Sequence, residues 1–358
     1  MNKQVSFEVE AYALFKNVDE TLLKLNPIIR KDGYEFVLFD FAELEEKFSD
    51  LYSLPKKYEI KKRIKLGPDK IVSYEFLSAY GNHSFGENTI HWKKKTLFLK
   101  RIESFHRPVT SLLNDETEKL LFQITEKEKR SGFKAVLDKL ESSHENAINV
   151  ETAIKIGGEF QRFKNELIRK LQLFKNGDLI CPVEFQIEKS SREIVYILTA
   201  GVSKPSSNNS FSISDEEVEK LRIHLSQDLE STALTELAES LFFSSYEVHD
   251  YKVRFTILMS ALESLFNRSK DQISHIIARH LALIISSGKE EFETMYNRVK
   301  KLYGIRSQIV HGQSVKFKED IIDQTNELQD LTRTAILYCM KSKKTKDELF
   351  SYLNAKGY

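Results

Sequence analysis

Two kinds of apolar spacing divide the chain. In the N-terminal half, YEFVLFDF (34–41), IVSYEF (71–76), TLFLKRI (96–102), CPVEFQIE (181–188) and EIVYILTAG (193–201) are β-branched and aromatic runs bounded by turn residues. Such runs predict strands, and SREIV, between the last two, suits a hairpin turn region. Helical patterns intervene. NDETEKLLFQITEKEK opens on Asn114, a helix cap, and residues 154–174 repeat apolar positions at helical spacing. The expectation for this half is a mixed α+β domain over residues 1–202.

The stretch SKPSSNNSFSISD (203–215) is rich in Ser, Asn and Pro and reads as a loop, with a linker at 203–213. Ser214, followed by Asp215, Glu216 and Glu217, is a helix start with acid where the helix dipole favours it. From there the period is helical to the end. Apolar stripes run through 229–248, 251–266 and 271–285, the last stopping at Gly288. A fourth helix is expected over 292–303, ended by Gly304, then a short segment 305–310 between Gly304 and Gly312. A long helix over 320–340 and a short one over 346–353 follow. Several helices with short connections predict an all-α bundle over 214–358.

Composition changes this picture little. Hydrophobic residues are 41% and charged residues 30% of the 358, an ordinary globular mixture. Cys181 and Cys339 are the two cysteines, too few for a disulfide framework or a Cys-rich zinc site, and they fit a reducing compartment. MNKQVSFEVEAY has no apolar run behind its lysine, so no secretory signal is expected. No stretch approaches a membrane span. A cytoplasmic protein without a membrane partner is the expectation.

The formal net charge of +1 hides a segregation. Residues 56–107 carry 13 basic and 5 acidic residues, with Lys93, Lys94 and Lys95 among the cations. Tyr58, Tyr74, Phe76, Tyr80, Phe85, Trp92 and Phe98 are interleaved. Cations for phosphates and rings for bases are what a single-stranded nucleic-acid surface needs. The plainer reading is a strand-rich domain with lysines in water and aromatics in its core.

Chemistry-bearing motifs are few. No Gly-rich phosphate loop, HExxH, GxSxG or CxxC occurs, and no metal or cofactor is expected. His275 and His280, five apart on one helix, are a poor chelating pair and read as partly exposed helix histidines. The informative segment is Tyr303-Gly304-Ile305-Arg306-Ser307-Gln308-Ile309-Val310-His311-Gly312. Upstream lie Ala261-Leu262-Glu263-Ser264-Leu265-Phe266, Ile273-Ser274 and Arg279.

ALESLF, then IS with Arg279, then LYGIRSQIVHG, together resemble the Apea-like branch of the HEPN superfamily of helical-bundle domains. The resemblance covers about residues 230–345. It implies a metal-independent endoribonuclease of bacterial defence or toxin-like RNA cleavage, with two R-x4–6-H motifs meeting across a homodimer interface. Carried over by position, Arg306 and His311 are the catalytic pair. Ser307 follows the arginine where catalytic members often have Asn, Asp or His, and Gln313 stands where some toxin members have a tyrosine.

These side chains suit the chemistry. Histidine titrates near neutrality and serves proton transfer; arginine forks onto phosphate oxygens. Residues five apart on an ideal helix point about 140° apart, so one protomer's pair would not converge on one phosphate without a bend or a second copy. Ser307, Glu263 and Arg279 are supporting candidates, Glu263 as the ion-pair partner of Arg279 or Arg306. Lys300, Lys301, Lys316 and Lys318 are candidate RNA-phosphate contacts. The N-terminal domain would sense a phage or host trigger, or restrain the bundle. The alternative, favoured by Ser307, is a non-catalytic module binding RNA, nucleotide or a protein partner. A DNA-binding regulator using 56–107 is a third reading, without a helix-turn-helix signature to carry it.

Overall fold

The computed structural model describes residues 4–40, 43, 72–75, 89–92, 95–108, 158–188, 194–199, 210–248, 250–268, 271–312 and 321–356. The chain divides into two compact units: Met1–Glu166 with Ile180–Val202, and Leu167–Leu179 with Ser203–Tyr358. The first contains an antiparallel sheet and the second is mostly helical.

In the first unit, strands β1 (Gln4–Lys16), β2 (Tyr34–Asp40), β3 (Val72–Glu75), β4 (Thr89–Trp92), β5 (Lys95–Pro108), β6 (Ile180–Glu188) and β7 (Ile194–Thr199) appear in chain order. Five of them form a sheet in the order β2-β5-β1-β6-β7, and β3 pairs with β4 separately. All these pairings are antiparallel. β1 is the centre, with Tyr12 opposite Lys100 on one side and Phe185 on the other. It was not among the strands expected from the sequence. Val5, Phe7 and Val9 alternate with Ser6, Glu8 and Glu10, and then every residue from Ala11 to Phe15 is buried, so this part of the strand is covered on both faces. Glu10 is buried too, and accepts a 2.8 Å hydrogen bond from the Tyr12 hydroxyl.

A run of short helical turns from Glu20 to Asp32 precedes β2 and ends at Gly33, whose φ of 82° is the left-handed conformation that favours glycine. Buried Asn26 secures this turn by bonding both the carbonyl and the amide of Phe36, at 2.8 and 2.6 Å.

Helix α1 covers 158–174 among the described residues, within the span expected for it. The Asn114-capped helix lies outside the described residues. In the second unit follow α2 (Asp215–Ser226), α3 (Glu236–Ser244), α4 (Tyr251–Phe266), α5 (Ile273–Ile285), α6 (Lys289–Val310), α7 (Ile321–Ser342) and α8 (Lys346–Ala355). Reciprocal caps start helices here. The Thr345 amide donates to Glu348 at 2.9 Å, and the Glu348 amide donates to the Thr345 hydroxyl. Asp250 caps α4 through the amides of Lys252 and Val253.

α4 is the core helix. Phe255, Leu258, Met259, Ala261, Leu262, Leu265 and Phe266 are fully buried, as expected of a helix packed on several sides. Around it lie Ile277 and Leu281 of α5, Val299 and Leu302 of α6, and Leu328, Ala335 and Ile336 of α7.

Three sequence expectations change here. Residues 229–235 are not helical, so α3 starts only at Glu236. Gly304 does not stop a helix: α6 runs unbroken for 22 residues through it. Val299, Leu302, Ile305 and Ile309 keep facing the core on either side of the glycine. Continued burial outweighs the roughly 1 kcal/mol a helical glycine costs relative to alanine. Finally, Phe211 and Ile213, at the end of the segment read as a linker, are buried.

The segment Leu167–Leu179 is bolted into the helical unit by side chains. Arg169 pairs with Glu239 at 2.7 Å and donates to the Leu229 carbonyl. Arg333 donates to the Gln172 carbonyl and the Asn176 side chain. Arg254, 1% exposed, pairs with Asp178 at 3.1 Å and bonds Gln329 at 3.0 Å. Gly177 presses on Phe211: a Cβ there would meet that side chain at 2.7 Å.

Candidate functional site

The Arg306–His311 segment closes α6. Arg306 and Ser307 lie in its last turn, and His311 is the C-cap, with φ −85° and ψ 8°. The His311 amide still bonds the Ser307 carbonyl at 3.0 Å. His311 and Gly312 are exposed, and Gly312 turns the chain away at φ 64°. The segment is therefore the end of a long rigid helix rather than a separate short turn. Its arginine and histidine remain on different faces of that helix end, as five-residue spacing requires.

Arg306 reaches inward from α6 to α4. One of its terminal nitrogens is 3.4 Å from each carboxylate oxygen of Glu263. The two side chains are 24% and 20% exposed, so the pair is a partly solvated one held at long hydrogen-bond distance. The Arg306 Nε and Glu263 Oε1 are buried without a hydrogen-bond partner among the described residues. The guanidinium also lies 5.9 Å from the Tyr303 ring, one turn earlier on α6. Burial, then the charge and hydrogen bonding of Glu263, hold the Tyr303 hydroxyl above its ordinary range. Glu263, Tyr303 and Arg306 thus form one cluster at the junction of α4 and α6.

Of the two partners considered for Glu263, the structure supplies Arg306. Arg279, on α5, donates instead to the Asn354 side chain of α8 at 2.7 Å. Ser307 is half-buried. Lys300 and Lys301 are exposed on α6. Lys93, Lys94, Lys316 and Lys318 lie outside the described residues, and Lys95 opens β5. Where the basic 56–107 block is described in side-chain detail, its cations meet acids. Lys100 is 3.6 Å from Glu35, Arg101 pairs with Glu103 and Glu159, and Phe98 is wholly buried. Here the block is ordinary strand surface over a core.

The two α5 histidines part company. His275 is exposed and its Nδ1 is 2.8 Å from the Tyr296 hydroxyl. His280, read from sequence as partly exposed, is only 4% exposed and packs against Phe350 and Phe266. A five-residue separation on one helix puts one ring in water and the other in the core. Burial lowers the His280 imidazole to about 4. Tyr296 and Tyr303 went unremarked as candidates in the sequence, although their seven-residue spacing on one helix was a readable signal.

Among the described residues no helix is long and apolar enough to cross a membrane. No family model matches the chain, and no curated protein or solved structure shows significant similarity to it.

Proposed function

We propose that the helical unit is a HEPN-type endoribonuclease that cleaves RNA without a metal, with a composite site formed by two copies of the chain. The observation that carries the reading is the end of α6: an exposed imidazole at the C-cap, five residues from an arginine steadied by a carboxylate of the core helix. The chemistry needs three things. A base takes the proton of a ribose 2′-hydroxyl, whose oxygen attacks the adjacent phosphorus. A cation stabilises the phosphorane. An acid protonates the departing 5′-oxygen, leaving a 2′,3′-cyclic phosphate and a 5′-hydroxyl. His311 of each copy supplies the proton transfers and Arg306 the charge. The divergence of the two side chains on one helix end supports the need for a second copy. Bacterial defence or toxin-like action, with the sheet-containing unit answering a trigger, is the setting that the sequence resemblance implies.

The test is cleavage of RNA by the purified full chain in EDTA. Loss of about 10²–10⁴-fold in both Arg306→Ala and His311→Ala is expected. Absence of cleavage, or cleavage indifferent to both substitutions, refutes the reading.

One observation favours a second reading. Glu263 already offsets the charge of Arg306, as in a structural ion pair. A non-catalytic module would then bind RNA, nucleotide or protein without turnover. Binding without cleavage, unchanged in His311→Ala, is its signature.

A further inference from the structure

α6 carries more than the Arg306–His311 pair. At about 100° per residue, Phe292, Tyr296, Tyr303 and Ser307 fall within about 60° of one another on its surface, with Lys300 and His311 just beyond. The rings are half-buried at the edge of the core. Phe292 and Tyr296 stack, with ring centres 6.1 Å apart and planes 20° from parallel. Lys300 holds its ammonium 5.6 Å from the Tyr296 ring. His275 fixes the Tyr296 hydroxyl from the neighbouring helix. Further along, Arg306 stands beside Tyr303. Cation and ring therefore alternate toward His311.

The charge along α6 is segregated in the same direction. Its first turns carry Glu290, Glu291 and Glu293. From Thr294 to Val310 there is no acid, while Arg298, Lys300, Lys301 and Arg306 are cations. Arg298 is engaged by Glu327. Lys300 is exposed, and its ammonium lies over the Tyr296 ring.

From this geometry we infer that the Tyr296–Lys300–Tyr303 flank of α6 is a track for single-stranded RNA leading to His311. This inference rests on the ribonuclease reading and names its substrate class. Unpaired bases stack on Tyr296 and Tyr303, and Lys300 holds the phosphate between them. At 1.5 Å per residue the track from Tyr296 to His311 is about 22 Å long, room for a few nucleotides. Duplex RNA offers no free base faces, so the track selects single strands, bulges and loops. Tyr296 and Lys300 are binding residues outside the reacting group.

The test is binding of a labelled 2′-O-methyl single strand, which cannot be cleaved by 2′-hydroxyl attack, to the full chain. Its annealed duplex is the comparison. The single strand is expected to bind more tightly than the duplex. Tyr296→Leu, which keeps apolar bulk but removes the ring, is expected to weaken binding about 5- to 100-fold. Tyr296→Phe retains it. Lys300→Ala, at an exposed position that leaves folding intact, is expected to lower the slope of log affinity against log salt by about 1. Wild-type affinity in both Tyr296→Leu and Lys300→Ala, equal affinity for duplex, or no binding at all overturns the track. Cleavage of ordinary RNA in EDTA, run beside it, separates the two claims. Intact cleavage with binding indifferent to Tyr296 and Lys300 refutes the track alone. Ring-dependent binding without cleavage upholds the track and refutes the ribonuclease.

Discussion

The helical unit contains two arginine–carboxylate pairs anchored on the same core helix, and they differ in almost everything else. Arg254, near the start of α4, is 1% exposed, contacts Asp178 at 3.1 Å and Gln329 at 3.0 Å, and lies 5.2 Å from the Tyr246 ring. Glu263, near its end, reaches Arg306 only at 3.4 Å, with both side chains a fifth to a quarter exposed. The first pair is sealed and fixes the Leu167–Leu179 segment. The second is looser and partly in water, five residues before an exposed histidine at the helix end. A charge buried in a core is costly unless it is paired, as Arg254 is with Asp178. A charge kept partly in water can meet another group without a core contact being broken.

The largest effect that separates them is on stability. Asp178→Ala strands a buried guanidinium and is expected to cost about 3–5 kcal/mol. Glu263→Ala, at a partly solvated pair, is expected to cost less than about 1 kcal/mol. Urea unfolding of both variants measures the difference. Equal losses would make the α6 pair as structural as the other and erase the distinction.

Acid provides the next test. His224 and His280 are both buried and both lowered to about 4, chiefly by burial. In His224 a 2.9 Å contact with the Lys170 carbonyl opposes that shift, while Lys341, Lys170 and Arg169 add to it. In His280, Asn354 opposes it and Arg279 and His275 add to it. The unfolded chain binds protons at these sites near pH 6.5, well before the folded chain does. Stability is therefore full above pH 6.5 and falls as pH drops toward 4. His280→Phe should flatten that fall in unfolding midpoints recorded across this window. An unchanged pH dependence in that variant contradicts the assignment.

A smaller loss is expected from Gly177→Ala. A Cβ there meets Phe211 side-chain and backbone atoms at 2.7 to 2.9 Å, so about 1–3 kcal/mol should be lost to overpacking, read from the same urea curves. The smallest effect belongs to Arg279→Ala, which removes one exposed bond to Asn354. It should change stability by less than about 1.5 kcal/mol and leave RNA cleavage at the wild-type rate. A large fall in cleavage would return Arg279 to the site.

These tests also mark where sequence reading succeeded and failed. The span 251–266 was legible because its apolar residues recur at helical spacing, and α4 has those bounds, with Asp250 as its cap. β1 was missed although both strand signals are there: Val5, Phe7 and Val9 alternate with Ser6, Glu8 and Glu10, and an apolar run from Ala11 to Phe15 follows; the switch between the two patterns inside one strand, with Glu10 buried against Tyr12, hid it. Gly304 misled because glycine signals a stop only when the apolar stripe also ends, and here Ile305 and Ile309 continue it. At the site, Arg306 and His311 come from the resemblance carried by ALESLF and LYGIRSQIVHG, and α6 holds both at its C-terminal end. That Glu263 meets Arg306, and that Arg279 meets Asn354, depends on how α4, α5, α6 and α8 pack, which no local pattern encodes.

The central claim is that the end of α6 cleaves RNA through the 2′-hydroxyl using His311. The most direct measurement compares two single strands in EDTA: one all-ribose, the other with a 2′-deoxy sugar at the cleaved nucleotide. The account predicts that the wild-type chain cuts the first to a 2′,3′-cyclic phosphate and leaves the second intact at that position, and that His311→Ala cuts neither. Cleavage of the deoxy substrate at an equal rate, or undiminished cleavage by His311→Ala, would contradict it.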